Sequence, residues 1–157
     1  LYYSELSGGA FDITIEPVSS LWDFTSGEKI VPDAETIAEK QACVGYEDVE
    51  LKGNKLRFKK EGMGIELGAV AKRYFEKDVK LYHHILDPAT GYPYENGLVS
   101  VTVLSEESAD GDGLSTACFA LGLEKGLELI EQTPDTEAMF ITEDGEMHFS
   151  KGFVYCG

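Results

Sequence analysis

The fold class rests on residues 98–122, which read LVSVTVLSEESADGDGLSTACFALG. Leu98 to Leu104 form a strand-like run. From Ala109 onward the apolar residues recur at helical spacing, and they are Leu114, Ala117, Cys118 and Leu121. Gly122 marks the end of this helix, because glycine readily adopts the left-handed conformation that stops one. A strand leading into a helix, in a chain that mixes further strands and helices, predicts an α+β domain.

Further elements follow toward the end of the chain. Glu124 to Gln132 predict a second helix, which Pro134 stops. Met139 to Thr142 and Met147 to Phe149 alternate in polarity on either side of Asp144-Gly145, the pattern of a hairpin. We therefore expect a helix pair and then a closing hairpin.

The beginning of the chain predicts a short helix and an extended run. Leu1 to Leu6 have helical spacing, and Gly8 and Gly9 then end the helix. Ala10 to Ile15 predict an extended segment.

A helix and a hairpin are predicted next. Asp33 precedes Ala34 to Val44, where its side chain can cap a helix. Val49 to Phe58 alternate apolar and charged residues around Gly53-Asn54, which predicts a half-buried hairpin.

The totals bound the size and the surface of the protein. With 157 residues and 43% hydrophobic content, the chain can bury one core, so we expect a single domain. Its 13 basic and 29 acidic residues make the surface strongly negative. Such a surface opposes nonspecific binding to nucleic acid or an anionic membrane, and we expect no nucleic-acid partner. An anionic substrate would need local positive charge, for which a bound divalent cation is an economical source.

The cysteines and the chain start carry two further expectations. Cys43, Cys118 and Cys156 are odd in number and lack C-x-x-C spacing, so neither a disulfide framework nor a zinc site is expected. No apolar run has the length of a membrane span, and no signal peptide is recognisable. The chain starts at Leu1 inside a predicted helix, so we expect an upstream part to be missing.

Asp112 and Thr116 are candidate metal ligands. They are four residues apart on the predicted helix, so both side chains fall on one face near its amino end. Magnesium prefers such oxygen ligands and keeps water and substrate phosphate in its shell. The alternative interpretation is that Asp110 or Asp112 caps the helix and Thr116 is an ordinary hydroxyl.

His83 to Pro88 end a strand-like run in a turn at Ala89-Thr90-Gly91. Polar groups at a strand end often meet ligands, and His84 is suited to acid or base chemistry near neutral pH. Cross-strand histidines with Asp87 starting an Asx turn are the structural alternative.

Two glycine-containing segments are weaker candidates. Gly8 to Asp12 allow close approach of backbone to a ligand, and helix termination is the alternative. Gly68 to Lys72 resemble a helix start with a cation able to face a phosphate, whereas the usual fate of a lysine is a solvated surface.

Taken together, these motifs resemble those of one family. In order along the chain they are Ser7-Gly8-Gly9-Ala10-Phe11-Asp12-Ile13-Thr14, Leu21-Trp22-Asp23-Phe24, Glu66-Leu67-Gly68-Ala69-Val70-Ala71-Lys72, His83 to Pro93, and Asp112-Gly113-Leu114-Ser115-Thr116-Ala117. From about Leu1 to Phe153 the chain resembles the ApbE-type flavin transferases, the FAD:protein FMN transferases.

The resemblance implies a T-fold-like architecture and a reaction. A Thr or Ser hydroxyl of an acceptor protein attacks the FMN phosphorus of FAD, which releases AMP and leaves phosphoester-linked FMN. Mg²⁺ would bridge the diphosphate of the FAD substrate. By matching position, the resemblance implies these sites: metal ligands Asp112, Thr116 and the carbonyl of Ala69; an FAD site lined by Ala10, Phe11, Asp12, Glu66, Lys72 and Ile85; and His84 as the group that helps deprotonate the acceptor.

The resemblance also implies a break in the chain pattern. The residue pattern alone predicts one helix from Leu67 to Asp78. The family instead implies that Lys72 ends one segment, that Arg73 to His84 belong to a later strand, and that a central segment is absent between them. We therefore expect an unexpectedly long gap between Lys72 and Arg73.

Partners and alternative activities complete the expectations. By resemblance, the acceptor would be a flavoprotein subunit of a membrane redox complex, and the protein would be a lipoprotein or envelope protein on the extracytoplasmic side. An FAD pyrophosphatase, a non-catalytic flavin-binding module and a structural domain with accidental matches remain open alternatives.

Overall fold

The computed structural model describes residues 1–22, 24, 30–53, 55–66, 74–77 and 80–154. Its helices are α1 Tyr2–Leu6, α2 Glu16–Ser19, α3 Ala34–Gln41, α4 Ser108–Leu121 and α5 Leu123–Gln132, with a 3₁₀ turn at Tyr46–Asp48. Its strands are β1 Val49–Lys52, β2 Lys55–Phe58, β3 Tyr74–Lys77, β4 Lys80–His83, β5 Leu98–Leu104, β6 Glu137–Thr142 and β7 Met147–Phe149. Strand pairing is antiparallel in β1-β2, β3-β4 and β5-β6-β7. The predicted α+β class is confirmed.

The chain divides into two compact units, residues 1–94 and 95–157. Each is described below by itself. The interpretation of the whole chain as one flavin transferase domain stays a prediction.

The second unit packs α4 and α5 against the sheet β5-β6-β7. Its buried residues include Leu98, Leu114, Ala117, Cys118, Ile130, Ala138 and Phe140. Gly126 of α5 permits the close packing, because an added Cβ would lie 2.7 Å from Phe140 Cε1 and 2.9 Å from the Cys118 carbonyl oxygen. The helix pair and the closing hairpin predicted from the sequence are confirmed in this unit.

The first unit is built on a small core that includes Val18, Trp22, Ile37 and Leu86. Asp33 caps α3 as predicted, since its carboxylate accepts a hydrogen bond from the Thr36 amide at 2.9 Å. The helix ends at Gln41, three residues before the predicted end.

The extended run predicted from Ala10 to Ile15 is wrong. Residues 10–14 form bends and turns, and Ile15 is the N-cap of α2. The cause is Asp12, whose Oδ1 accepts hydrogen bonds from the Thr14 amide at 2.8 Å and the Thr14 hydroxyl at 2.7 Å. Such local bonds of an Asp side chain stabilise a turn in place of a strand.

The predicted hairpin is present as β1-β2, but its burial differs from the prediction. Leu51 pairs with Leu56 across the strands, and Val49 pairs with Phe58. Val49 is buried, whereas Leu51 and Leu56 are 64% and 43% exposed. The alternation of residue types correctly placed the apolar side chains on one face of the hairpin. Which of them are buried depends on the segments that pack against that face.

The single helix predicted by pattern from Leu67 to Asp78 is wrong over the described residues, because Tyr74–Lys77 is a strand. The family resemblance correctly implied extended backbone there, but its single strand is instead two short antiparallel strands, with Tyr74 opposite His83. Over so short a stretch, aromatic residues are compatible with a helix or a strand. Pairing with an antiparallel neighbour favours the strand. The predicted gap between Lys72 and Arg73 lies outside the described residues.

Two further expectations concern the cysteines and membrane spans. Cys43 and Cys118 are free thiols, as expected, and Cys156 lies outside the described residues. Within the described part of the chain, no helix has both the length and the apolar character to cross a membrane.

Candidate functional site

His84 and Ile85 lead from β4 into a tightly bonded turn. Beyond them, the Asp87 amide donates to the Tyr92 carbonyl at 2.8 Å and the Gly91 amide donates to the Asp87 carbonyl at 2.7 Å. Asp87 Oδ1 also accepts from the Ala89 amide at 2.9 Å, which confirms the Asx turn that the sequence offered as an alternative. The Asx turn therefore orders the segment that follows His84 without excluding a chemical role for the histidine.

The core of the first unit holds this turn in place. The Trp22 indole donates to the Gly91 carbonyl at 3.0 Å, and the Gln41 side-chain amide donates to the Pro88 carbonyl at 3.0 Å. Gly91 has φ +73, and a Cβ there would lie 2.3 Å from Ile37 Cγ2. Glycine is required at this position both by the backbone conformation and by the space.

Asp12 is buried and engaged by protein donors. Besides its two bonds to Thr14, its Oδ2 accepts from the Tyr46 amide at 2.9 Å. The Thr14 hydroxyl in turn accepts from the Gly45 amide at 2.7 Å. The carboxylate thus ties the loop that contains Ala10 and Phe11 to the segment before β1. Its prediction as an FAD-lining residue stays a prediction, and its side chain has a positioning role.

The same loop is fixed from the other side by Tyr94. The Tyr94 hydroxyl donates to the Ala10 carbonyl at 2.7 Å, and the Tyr94 amide donates to the Ile85 carbonyl at 3.1 Å. Burial, reinforced by the negative charge of Asp87 and by a hydrogen bond to its side chain, holds the pKa of Tyr94 well above its usual value. The phenol therefore stays protonated and remains a donor.

Glu66 lies beside this loop. Its amide donates to the Ile13 carbonyl at 3.0 Å, and the Ser19 hydroxyl donates to its carboxylate at 2.5 Å. In the first unit, hydrogen bonds thus hold each of the segments that contain Ala10, Asp12, Glu66 and Ile85. The predicted residues Ala69 and Lys72 lie outside the described part of the chain.

Asp112 and Thr116 are in the second unit, on α4. The helix begins at Ser108, so Asp110 and Asp112 lie inside it, and the alternative that either one is its N-cap is wrong. Asp112 is exposed and Thr116 is buried. The hydroxyls of Ser115 and Thr116 donate to the Asp112 carbonyl at 2.9 Å and 3.2 Å, which leaves the hydroxyl oxygens with lone pairs to offer a ligand.

A polar groove of about 390 Å³ lies between β5 and the start of α4. Its lining residues are Val101, Thr102, Val103, Leu104, Ser105, Ser108, Gly111, Asp112 and Ser115. Gly111 keeps the helix close to the strand, because a Cβ would lie 2.9 Å from the Ser105 hydroxyl oxygen. Asp112 thus shares the lining of this groove with the hydroxyl-bearing residues Ser105, Ser108 and Ser115.

The donor types here suit a hard cation. Carboxylate and hydroxyl oxygens are the ligands that magnesium prefers, and it commonly completes its shell with water and phosphate. Among the described residues, no group of three or more histidine, cysteine, aspartate or glutamate side chains could hold a metal ion. Asp112 lines the groove and Thr116 is not among the lining residues, so their joint role as metal ligands stays a prediction.

A family comparison identifies the chain. The model of the ApbE family matches residues 1–75 and 72–140. The chain belongs to the ApbE family. The two matches meet at residues 72–75, the region in which the sequence predicts a missing central segment. That segment's absence stays a prediction.

One curated relative of this ApbE-family chain shows how far the likeness extends. An FAD:protein FMN transferase of Klebsiella pneumoniae (strain 342) is 37% identical over 126 residues, which cover 80% of this chain and 36% of the relative. The chain thus spans little more than a third of that relative's length.

Solved structures agree on the fold. The apo flavinyl transferase ApbE of Pseudomonas stutzeri has a TM-score of 0.80 and 26% identity, and the match covers 96% of this chain and 70% of that one. The flavin transferase ApbE of Vibrio cholerae has a TM-score of 0.80 at 22% identity and covers 97% of this chain and 72% of that one. The predicted ApbE-like α+β fold is confirmed.

Sequence reasoning missed the residues that hold the site segments in place. Thr14 belongs to the first family motif but was assigned no role there, and Tyr46 and Tyr94 lie outside every motif, although all three make the bonds described above. The spacing between Ala10 and Tyr94 carries no local signal, so only the folded chain reveals their contact.

Proposed function

We propose that this chain transfers FMN from FAD to a Thr or Ser hydroxyl of an acceptor protein. Its membership of the ApbE family carries the proposal, and the 37% identity to a relative named FAD:protein FMN transferase supports it. The acceptor oxygen forms a bond to the FMN phosphorus while the bond from that phosphorus to the bridging oxygen breaks. AMP leaves with that oxygen, and the hydroxyl proton passes to a base.

His84 is the proposed base. It lies three residues before Asp87, where the hydrogen-bonded turn Asp87–Tyr92 begins. The next residue, Ile85, is hydrogen-bonded to the Tyr94 amide. Imidazole accepts a proton near neutral pH, and a fixed backbone on its C-terminal side reduces the ordering needed for reaction.

Asp112 and Thr116 are the proposed side-chain ligands of Mg²⁺, with the carbonyl of Ala69 as a third ligand by family resemblance. When bound, magnesium would offset negative charge on the diphosphate and the leaving phosphate. The need is acute in this chain because its net charge of −16 repels an anionic nucleotide. Asp112 supplies a localised anionic oxygen and the buried Thr116 a fixed neutral one.

The FAD site is proposed to include Ala10, Phe11, Asp12, Glu66, Lys72 and Ile85. In the first unit, the bonds from Tyr94, Tyr46 and Ile13 hold the described members in place. Such preorganisation reduces the entropy lost when a nucleotide binds.

The acceptor and the location are proposals from family resemblance. The acceptor is a flavoprotein subunit of a membrane redox complex that exposes a Thr or Ser. The protein acts on the extracytoplasmic side of the membrane, as an envelope protein or lipoprotein.

The experiment combines the protein, FAD, Mg²⁺ and a candidate acceptor protein. We expect covalent flavin on the acceptor, seen by mass spectrometry, together with an equal amount of AMP. Free FMN and AMP without labelled acceptor would instead identify a pyrophosphatase. Asp112→Ala should abolish AMP release, and an exposed acidic residue of the same unit, Glu128→Ala, provides the matched control.

A second candidate is a flavin-binding module without catalysis. FAD binding without any AMP release, unchanged by a chelator, would support this candidate and contradict the transferase.

A further inference from the structure

Tyr94 occupies a position between two separate segments of the first unit. Its hydroxyl donates to the Ala10 carbonyl at 2.7 Å, across 84 residues of sequence. Its amide donates to the Ile85 carbonyl at 3.1 Å. One residue thus connects the Gly8–Asp12 loop to the segment that contains His84 and Ile85.

The hydroxyl bond adds a constraint that the loop's other contacts do not supply. On the N-terminal side the Phe11 amide donates to the Ser7 hydroxyl at 3.0 Å, and on the C-terminal side Asp12 is held by Tyr46. Both glycines before Ala10 have positive φ, +61 and +85, so the backbone there follows a path set by glycine. Ala10 lies between the two flexible glycines and the hydrogen-bonded Asp12. Tyr94 fixes the backbone at this point through the Ala10 carbonyl.

The Tyr94 hydroxyl also stays protonated, because its pKa is raised. Burial is the main cause of the raised pKa of Tyr94, and the charge of Asp87 adds to it. The Tyr94 hydroxyl therefore stays protonated and remains a donor to the Ala10 carbonyl, with the Asp87 side chain also interacting with it. The connection is therefore a fixed part of the fold rather than a switch.

We propose that Tyr94 is a positioning residue for flavin nucleotide binding: its hydroxyl sets the Ala10–Phe11 backbone relative to Ile85. The proposal rests on the proposed function, because Ala10, Phe11 and Ile85 are its FAD-lining residues. Tyr94 acts through the Ala10 carbonyl and does not itself contact the nucleotide.

The test compares Tyr94→Phe with Tyr92→Phe, a matched control two residues away. Each variant loses one phenolic oxygen and keeps its ring, and the Tyr92 ring retains its edge-on contact with Trp22. Hydrogen–deuterium exchange of the protein without nucleotide reports on the amides of Phe11, Ile13 and Thr14. Flavin fluorescence gives the Kd for FAD with Mg²⁺, and AMP release gives kcat and KM.

We expect Tyr94→Phe to speed exchange at Phe11 and to raise the Kd for FAD about five-fold, which corresponds to about 1 kcal/mol. KM should rise with it, and the rate at saturating FAD should stay near the wild-type value. Tyr92→Phe should show none of these changes. A raised Kd and KM with an unchanged rate at saturating FAD would indicate a role in positioning the nucleotide site. A general loss of stability would not give this combination.

Three outcomes would overturn the proposal. Unchanged exchange in Tyr94→Phe would show that the hydroxyl does not hold the loop. Faster exchange with an unchanged Kd would show that the loop does not position FAD, and equal weakening in both variants would show a general structural effect. If the wild-type protein binds no FAD at all, the proposed function itself fails, and the exchange data still decide whether Tyr94 holds the loop.

Discussion

Removal of the Asp12 carboxylate should destabilise the first unit more than removal of any exposed carboxylate. Asp12 is 5% exposed and accepts hydrogen bonds from the Thr14 amide, the Thr14 hydroxyl and the Tyr46 amide. In Asp12→Ala these buried donors lose their acceptor, and each hydrogen bond to a charged group contributes about 1.5–3 kcal/mol. Because bonds in one network are not additive and water can replace some of them, we expect a loss of about 3–5 kcal/mol.

Asp12→Asn removes the negative charge of the side chain and keeps nearly the same shape, so it tests the contribution of the charge. The amide keeps one oxygen acceptor but presents an NH₂ group to a protein donor, so one close donor–donor contact replaces a bond. We expect a loss of about 1–3 kcal/mol, smaller than for alanine. Asp33→Ala provides the matched control, because Asp33 also accepts from a backbone amide and a threonine hydroxyl, but at an exposed helix cap.

Urea unfolding followed by far-UV and near-UV circular dichroism measures these differences. A typical small protein has a total stability of about 5–15 kcal/mol, so Asp12→Ala should lower the transition midpoint strongly. The order expected is Asp12→Ala, then Asp12→Asn, then Asp33→Ala. A cost for Asp12→Ala no larger than that for Asp33→Ala would refute the claim that this carboxylate organises the loop.

Three further predictions concern the metal ligands, a glycine and a thiol. Asp112→Ala should abolish magnesium-dependent AMP release and leave the urea midpoint nearly unchanged, because the side chain is exposed; activity equal to wild type would contradict its proposed role. Gly91→Ala should cost more than about 2 kcal/mol, since φ is +73 and its Cβ would lie 2.3 Å from Ile37 Cγ2. Gly145→Ala, at φ +85 with open space around it, should cost only about 1 kcal/mol in the same assay, and equal costs would show that crowding is unimportant. Burial raises the pKa of Cys118 to about 12, so at pH 8 the native thiol is protonated and should resist Ellman's reagent until urea exposes it; rapid native labelling in a variant with Cys118 as its only cysteine would contradict this burial.

The elements that local signals specify could be predicted from the sequence. The Asp33 cap, the stop at Gly122 and the turn at Asp144-Gly145 all lie where the residue types place them, because capping and left-handed backbone are properties of one or a few adjacent residues. β5 has the predicted bounds of Leu98 and Leu104. The ordered motifs also identified the family, which is why the candidate site could be named before any geometry was known.

Other features depended on partners far away in the chain. Ala10 to Ile15 have the composition of an extended run, yet the Asp12 carboxylate folds them into turns and joins them to Gly45 and Tyr46. Leu51 and Leu56 alternate correctly but remain exposed. Burial of a strand face depends on which other segments pack against it. The local sequence pattern does not specify those segments.

By itself, the sequence determined the α+β class, most helix and strand positions, the ApbE family and the candidate residues His84, Asp112 and Thr116. Only the tertiary structure decided how the proposed nucleotide segments are held: Asp12 bonded inward, Tyr94 on the Ala10 carbonyl, and Trp22 on Gly91. The physical reason is the range of the interactions. Caps, turns and periodicity act within a few residues, whereas hydrogen bonds and close packing between segments exist only after the chain has brought distant residues together.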